Sequence, residues 1–137
     1  MTQCRLIQLP KISDCRGNLT FIESANHIPF EIKRVYYLYD VPCDAIRGAH
    51  AHKDLEQLII PISGSFTVSV DDGRSKSSFD LRIPNYGLYI PSLVWRDIEK
   101  FSTSSACLVL ASKEYNENDY LREYDDFIDY ITRSKDV

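Results

Sequence analysis

Glycine is scarce in this chain, five residues in 137, and proline is unremarkable at six. That usage excludes a collagen-like repeat and a long disordered Pro/Gly segment. A long basic run is also missing, and the formal net charge is −4. General nucleic-acid binding is therefore not expected. No apolar run is long enough to span a membrane. The opening stretch, Met1–Pro10, lacks the apolar core of a signal peptide. The four cysteines, Cys4, Cys15, Cys43 and Cys107, match no zinc-ligand spacing. The expectation is a cytoplasmic protein with reduced thiols, bound neither to membrane nor to nucleic acid.

What the sequence does have is a succession of short strand-like runs. Hydrophobic residues make up 44% of the chain, enough for one domain with a real core. No linker or internal repeat divides it, so residues 1–137 read as a single domain. Strand-like segments begin with Arg5–Leu9 and continue through Ile32–Tyr39, Gln57–Ile62 and Phe66–Val70 to Ala106–Ala111. Turn signals separate them: Ile62–Ser65, Asp71–Arg74 and Pro84–Gly87. Phe66, Val68 and Val70 alternate on one face, and Asp71–Arg74 reads as the hairpin turn that follows. Many short strands at this spacing predict an all-β antiparallel barrel, either closed or of two sheets. The tail is different. Leu121, Tyr124, Phe127, Ile128 and Ile131 recur at roughly helical spacing, which predicts a short amphipathic helix from Tyr120 onward.

Two of the three histidines, His50 and His52, stand two residues apart in R47-G-A-H-A-H-K53. In a strand, such residues share one face. Histidine gains and loses protons near neutral pH, so this pair can act as acid and base. It can also begin a metal site, which would need further ligands such as Asp54 or Glu56. His27 lies in a predicted surface loop and does not join it.

The spacing from His50-x-His52 through Gln57 to Gly64 resembles the first cupin motif, H-x-H-x4-E-x6-G. The stretch P91-S-L-V-W-R96 resembles the second, P-x-G-x-x-H. In this sequence Gln57 stands at the acid position, Leu93 at the glycine and Arg96 at the histidine. The resemblance implies a cupin (RmlC-like) jelly-roll barrel with a short C-terminal helix. The departures point away from the cupin metal, because an amide is a poor carboxylate substitute and a guanidinium repels a cation.

A narrower resemblance covers nearly the whole chain. D14-C-R-G-N-L, I32-K-R-V-Y-Y, R47-G-A-H-A-H-K, D71-D-G, G87-L-Y-I-P, Trp95 and the tail Y115-N-E-N-D-Y-L-R-E-Y-D-D-F follow one another as in the WxcM-like nucleotide-sugar 3,4-ketoisomerases. That resemblance implies a thymidine diphosphate-linked 4-keto-6-deoxyglucose as substrate, no metal or other cofactor, and a homodimer. The keto group would move from C4 to C3 by proton transfer through an enediolate. His52 is the expected base at C3, and His50 handles the oxygen protons or returns one to C4.

Arg16, Arg47 and Arg96 are candidates to face the negative intermediate. Gln57 is a further candidate for substrate binding, and Lys33, Arg34 and Lys53 are available for the diphosphate. Tyr36 or Tyr37 is the expected sugar or base contact; alternation leaves open which face of Lys33–Leu38 lines the barrel. Trp95 is expected to point away from Arg96 and pack. Arg96 resembles the pattern that yields a gluco product and Arg16 the galacto pattern; the reading favours 3-keto-6-deoxygalactose. A metal-dependent cupin, a nucleotide-sugar 3,5-epimerase and a non-enzymatic ligand-binding cupin are the competing readings. They are separated by metal content, by solvent exchange at C5, and by turnover itself.

Overall fold

The computed structural model describes residues 3–135. Twelve strands run through it: β1 Arg5–Gln8, β2 Lys11–Asp14, β3 Gly17–Thr20, β4 Arg34–Tyr39, β5 Arg47–His52, β6 Gln57–Ser63, β7 Phe66–Asp71, β8 Lys76–Leu81, β9 Tyr86–Ile90, β10 Trp95–Glu99, β11 Ala106–Ala111 and β12 Tyr120–Leu121. One helix follows, α1 Tyr124–Lys135. Five strands form a sheet in the order β1-β9-β6-β11-β4, and five form a second in the order β12-β5-β10-β7-β8. The pairings are antiparallel, and β2 and β3 form a separate hairpin. Of the closed or two-sheet barrels that the strand spacing allowed, this is the two-sheet one, with the jelly-roll form that the cupin resemblance implied.

Between the sheets lies a core that includes Ile59, Phe66, Val68, Val70, Leu88, Ile90, Ile98 and Val109. Phe66, Val68 and Val70 sit on one face of β7, as their alternation required. A second cluster occupies the outer face of the first sheet, where Leu58, Ile60 and Leu110 meet Ile28 and Phe30 from the loop before β4. Strand β6 is thus buried on both faces, which explains its continuous apolar run.

Helix α1 covers the outer face of the second sheet. Phe127 and Ile131, four residues apart, pack with Ala51 and Leu121, and Trp95 and Ile128 lie against them. The predicted helix from Tyr120 needs correction at its start. Tyr120 and Leu121 pair with His52 and Ala51 as a strand rather than opening the helix. A single 3-10 turn over Glu117–Asp119 precedes this strand, and the first backbone bond of α-helical spacing after it runs from the Phe127 amide to the Glu123 carbonyl. Gly73, in the β7–β8 turn, has φ +91°, and a Cβ there would come 2.2 Å from Ile131 Cδ1. Glycine at this position serves both the turn and the close seating of the helix. Among the described residues, no helix is long and apolar enough to cross a membrane.

Candidate active site

One open end of the barrel holds a cavity of about 520 Å³. Strand β4 gives Arg34, Tyr36 and Leu38 to its wall, β5 gives Arg47 and His50, β6 gives Gln57, and β10 gives Arg96. The open question about β4 is thereby decided. Its odd-numbered neighbours Val35, Tyr37 and Tyr39 are exposed on the outside.

His50 and His52 share a face, with ring centroids 4.8 Å apart and planes nearly perpendicular. They are not equivalent. His50 lines the cavity, whereas His52 is fully buried and does not. His50 Nδ1 lies 2.9 Å from the Gly48 carbonyl oxygen. That oxygen only accepts, so Nδ1 carries the proton and Nε2 keeps its lone pair. His50 Nε2 has no protein partner. Behind it, His52 Nδ1 faces Asp119 Oδ2 at 3.5 Å. That approach makes no hydrogen bond; the Asp119 carboxylate accepts instead from the Asp54 and Leu55 amides, at 2.9 and 3.3 Å.

A bulge shapes this edge. His50 lies opposite Arg96 and Gly48 opposite Asp97, so Ala49 is the extra residue on β5. Gly48 has φ +86° and Ala49 φ +54°. The bulge allows Arg47 and His50, three residues apart, to line one cavity, which plain alternation would forbid. A Cβ on Gly48 would approach the Arg96 carbonyl oxygen to 3.1 Å.

Arg96 is 1% exposed. Its Nη1 donates to Gln57 Oε1, and its Nη2 to the Val94 carbonyl at 3.0 Å. Gln57 Nε2 in turn donates to the Tyr36 hydroxyl at 3.0 Å. The neighbouring Glu56 turns to the opposite face and accepts from Tyr89. Burial, and then the Arg96 charge, pushes the His50 imidazole down to about 4. The same two causes push His52 down to about 2. Burial also lowers Arg96, to about 10, which leaves it a cation at neutral pH. Both histidines are therefore neutral bases beside a buried positive charge.

The metal that a cupin barrel implies does not fit these residues. Arg96 places its cation against Gln57, and the Gln57 oxygen is already engaged by it. Among the described residues, no three His, Cys, Asp or Glu side chains converge as a metal site.

Several expected contacts lie elsewhere. Arg16 sits in the β2–β3 turn, its Nη2 2.7 Å from Asp14 Oδ2 and its side chain 86% exposed. Lys33 pairs with Glu31 on the surface. Tyr37 packs beside Tyr39 on the outer face of β4. Lys53 lies over the Tyr130 ring of α1. None of these four lines the cavity of this chain. Arg34, Tyr36, Arg47, Gln57 and Arg96 do. Trp95 points away, as expected, and packs against Tyr124 and Phe127.

Sequence reasoning passed over Tyr120 and Arg122, which close one side of the cavity. The Tyr120 ring lies 5.1 Å from that of His50 and 4.4 Å from that of His52. The Arg122 guanidinium covers the Tyr120 ring at 4.2 Å and is held by Glu117 at 2.6 and 2.8 Å. The available signal was the alternation of Tyr120 and Arg122, which fits a strand as well as a helix.

The family model described as "FdtA: WxcM-like, C-terminal" matches residues 2–132. A TDP-4-oxo-6-deoxy-alpha-D-glucose-3,4-oxoisomerase from Aneurinibacillus thermoaerophilus is 44% identical over 129 residues, covering 94% of this chain and 93% of its own. A 3,4-ketoisomerase from Helicobacter canadensis superimposes with a TM-score of 0.93 at 44% identity, over 96% of this chain and 99% of its own. The 3,4-ketoisomerase QdtA from Thermoanaerobacterium thermosaccharolyticum was solved as a histidine-to-asparagine variant in complex with TDP-4-keto-6-deoxyglucose. It superimposes with a TM-score of 0.94 at 41% identity, over 97% of this chain and 96% of its own. By sequence along almost its full length, and by fold, this chain belongs to the WxcM-like (FdtA) family.

Proposed function

We propose that this chain is a 3,4-ketoisomerase acting on TDP-4-keto-6-deoxyglucose, moving the keto group from C4 to C3 without a metal or redox cofactor. The observation that carries this reading is the neutral imidazole of His50 on the wall of an arginine-lined cavity, with an Nε2 that no protein group engages. The activity of the 44% identical relative supports the same substrate.

A proton on C3 is acidified by the neighbouring C4 ketone. His50 Nε2 removes it, and an enediolate forms across C3 and C4. The buried Arg96 guanidinium, one strand away, stabilises the negative charge as it develops. His50, now an imidazolium, returns the proton to C4 while the O3 hydroxyl proton passes to O4, and a C3 ketone results. This division differs from the sequence expectation, which put the base on His52. His52 is sealed behind His50, so its part is to support the base edge-to-face. Arg34, Arg47 and Arg122 at the cavity wall suit a diphosphate. Arg16, outside this cavity, does not support the galacto preference from within the same chain, so the C4 configuration is assigned to the residues around His50 and Arg96.

The test is to incubate the purified protein with TDP-4-keto-6-deoxyglucose in D₂O and follow it by NMR. The reading requires a 3-keto product, with deuterium entering at C4 only to the extent that the His50 imidazolium exchanges with solvent before it returns the proton. Deuterium at C5 would instead indicate epimerisation, and an unchanged substrate would overturn the assignment. Chelator treatment should leave the rate unchanged.

A homodimer is part of the same reading. Ile12 and Leu19 on the β2–β3 hairpin, and Val35, Tyr37 and Tyr39 on β4, are exposed apolar side chains that a second copy would cover. Sizing chromatography should give a dimer; a monomer at working concentration would remove this element.

A further inference from the structure

Strand alternation gives β10 two faces, and each lines a different cavity. Arg96 and Ile98 point inward to the reaction cavity, whereas Trp95 and Asp97 point outward. The outward pair lines a second depression, of about 680 Å³, on the solvent side of the second sheet. Small-ligand sites typically span about 300–1,000 Å³. We propose that this outer depression is a second binding site, and that its ligand is a hexopyranose ring of a saccharide.

Strand register builds the floor. Trp95 stands beside Asp71, and Asp71 beside Lys76. One pleat away, Asp97 stands beside Ser69, and Ser69 beside Ser78. Two rows of three outward side chains result, about 7 Å apart along the strands, with neighbours about 4.8 Å apart across them. The two serines are short, so the floor is sunk between taller groups. Tyr124, at the start of α1, closes the end where Trp95 lies; the two rings are 5.4 Å apart and nearly perpendicular.

The acceptors on this floor are held in place. Asp71 is 8% exposed. Its Oδ1 accepts from the Gly73 amide at 2.7 Å and its Oδ2 from the Tyr124 hydroxyl at 2.6 Å. Asp97 takes hydrogen bonds from the Trp95 side chain and the Ala49 backbone. A carboxylate offers about four lone-pair sites, so both aspartates keep capacity for a further donor.

These groups select the class of ligand. Two fixed carboxylates accept from hydroxyl groups and repel a phosphate or another carboxylate. Lys76 adds a donor and opposes an isolated cation. Among the described residues, no third metal-ligating side chain joins the two aspartates. Ser69 and Ser78, with hydroxyl oxygens 3.2 Å apart, can each donate or accept. Trp95 is half-buried, packed on its helix side by Tyr124 and Phe127. It offers an apolar surface to C–H groups. A neutral ring with hydroxyls at its edge and C–H groups on its face satisfies all of these at once. The apolar side chains assigned to the dimer lie on β2, β3 and β4, so a second copy seated there leaves this face open. The inference does not depend on the ketoisomerase reading.

Trp95 is the chain's one tryptophan, so a single indole signal reports on this depression. The full-length ¹⁵N-labelled protein, with TDP present to occupy the reaction cavity, is titrated by NMR with methyl glucopyranoside, methyl galactopyranoside and methyl fucopyranoside in turn. The expected result is a saturable shift of the Trp95 indole N–H with at least one of them, with a Kd in the millimolar range. Ser78→Tyr fills the floor, and Lys76→Ala removes a donor from the edge strand β8; neither residue lines the reaction cavity. Ser78→Tyr should abolish the shift, and Lys76→Ala should weaken the Kd by about tenfold. Turnover of the keto sugar should be unchanged in both. The absence of a saturable indole shift with all three glycosides overturns the proposal. So does a shift that survives both substitutions with its Kd unaltered, because Trp95 is then responding to binding elsewhere. If Ser78→Tyr does not fold, Lys76→Ala decides alone, and an unaltered Kd in that variant overturns the proposal.

Discussion

His50 and Arg96 are direct cross-strand partners on β5 and β10, and both side chains face the same cavity. A base and a buried cation side by side oppose each other's protonation. Removing the cation as Arg96→Met should therefore let the His50 pKa rise from about 4 toward its ordinary value of 6.5. The rise should be partial, because burial is the larger cause. NMR titration of the histidine ring nitrogens checks this. An unmoved His50 would mean that the Arg96 charge is screened from it.

Stability should depend on pH with a definite sign. The folded pKa of His50 is depressed, so the unfolded chain binds more protons as pH falls below 6.5. Stability should then fall from about pH 6.5 toward pH 4 and level off for this group. The loss from His50 is on the order of 3 kcal/mol; His52, depressed further, extends it to lower pH. Denaturant midpoints measured across that range should flatten in a His50→Gln variant. Equal slopes in the two proteins would contradict the burial argument.

Substituting Gly48 by Ala should damage the site without touching any functional side chain. The φ of +86° disfavours alanine, and the new Cβ would press on the Arg96 carbonyl. The expected destabilisation is about 1–3 kcal/mol, together with a lower kcat, because Arg96 moves relative to His50. Retained kcat would show that the bulge tolerates displacement.

Helix α1 gives a separate test. Phe127 is fully buried against the second sheet, so Phe127→Ala should cost about 3–5 kcal/mol of stability. Thermal or denaturant unfolding measures it. A loss below about 1 kcal/mol would mean that the helix is not integral to the fold.

Much of this site was legible from strand periodicity. The two-residue spacing of His50 and His52 put them on one face, and the resemblance to the first cupin motif separated Gln57 from Glu56. Period alone could not orient β4, because both of its faces carry tyrosines; the buried amide of Gln57, bonded to Tyr36, decides it. The bulge at Ala49 was hidden, since the alanine has no special backbone preference to announce a positive φ. Tyr120 was hidden for another reason. Its spacing fits a helix continuous with α1, and only pairing with a distant strand makes it part of β5's sheet. Arg16 was drawn into the site by resemblance, and the exposed hairpin that carries it lies outside the cavity of this chain.

Strand β12 is the last strand to be synthesised, yet it carries one wall of the cavity. The strands that hold His50, Gln57 and Arg96 emerge from the ribosome before Tyr120 and Arg122 do. A barrel can thus close while its reaction chamber is still open on one side. Cleavage within the 113–116 connection should leave a folded shell that has lost its chemistry, so the joint before β12 is a point where activity and foldedness can be separated.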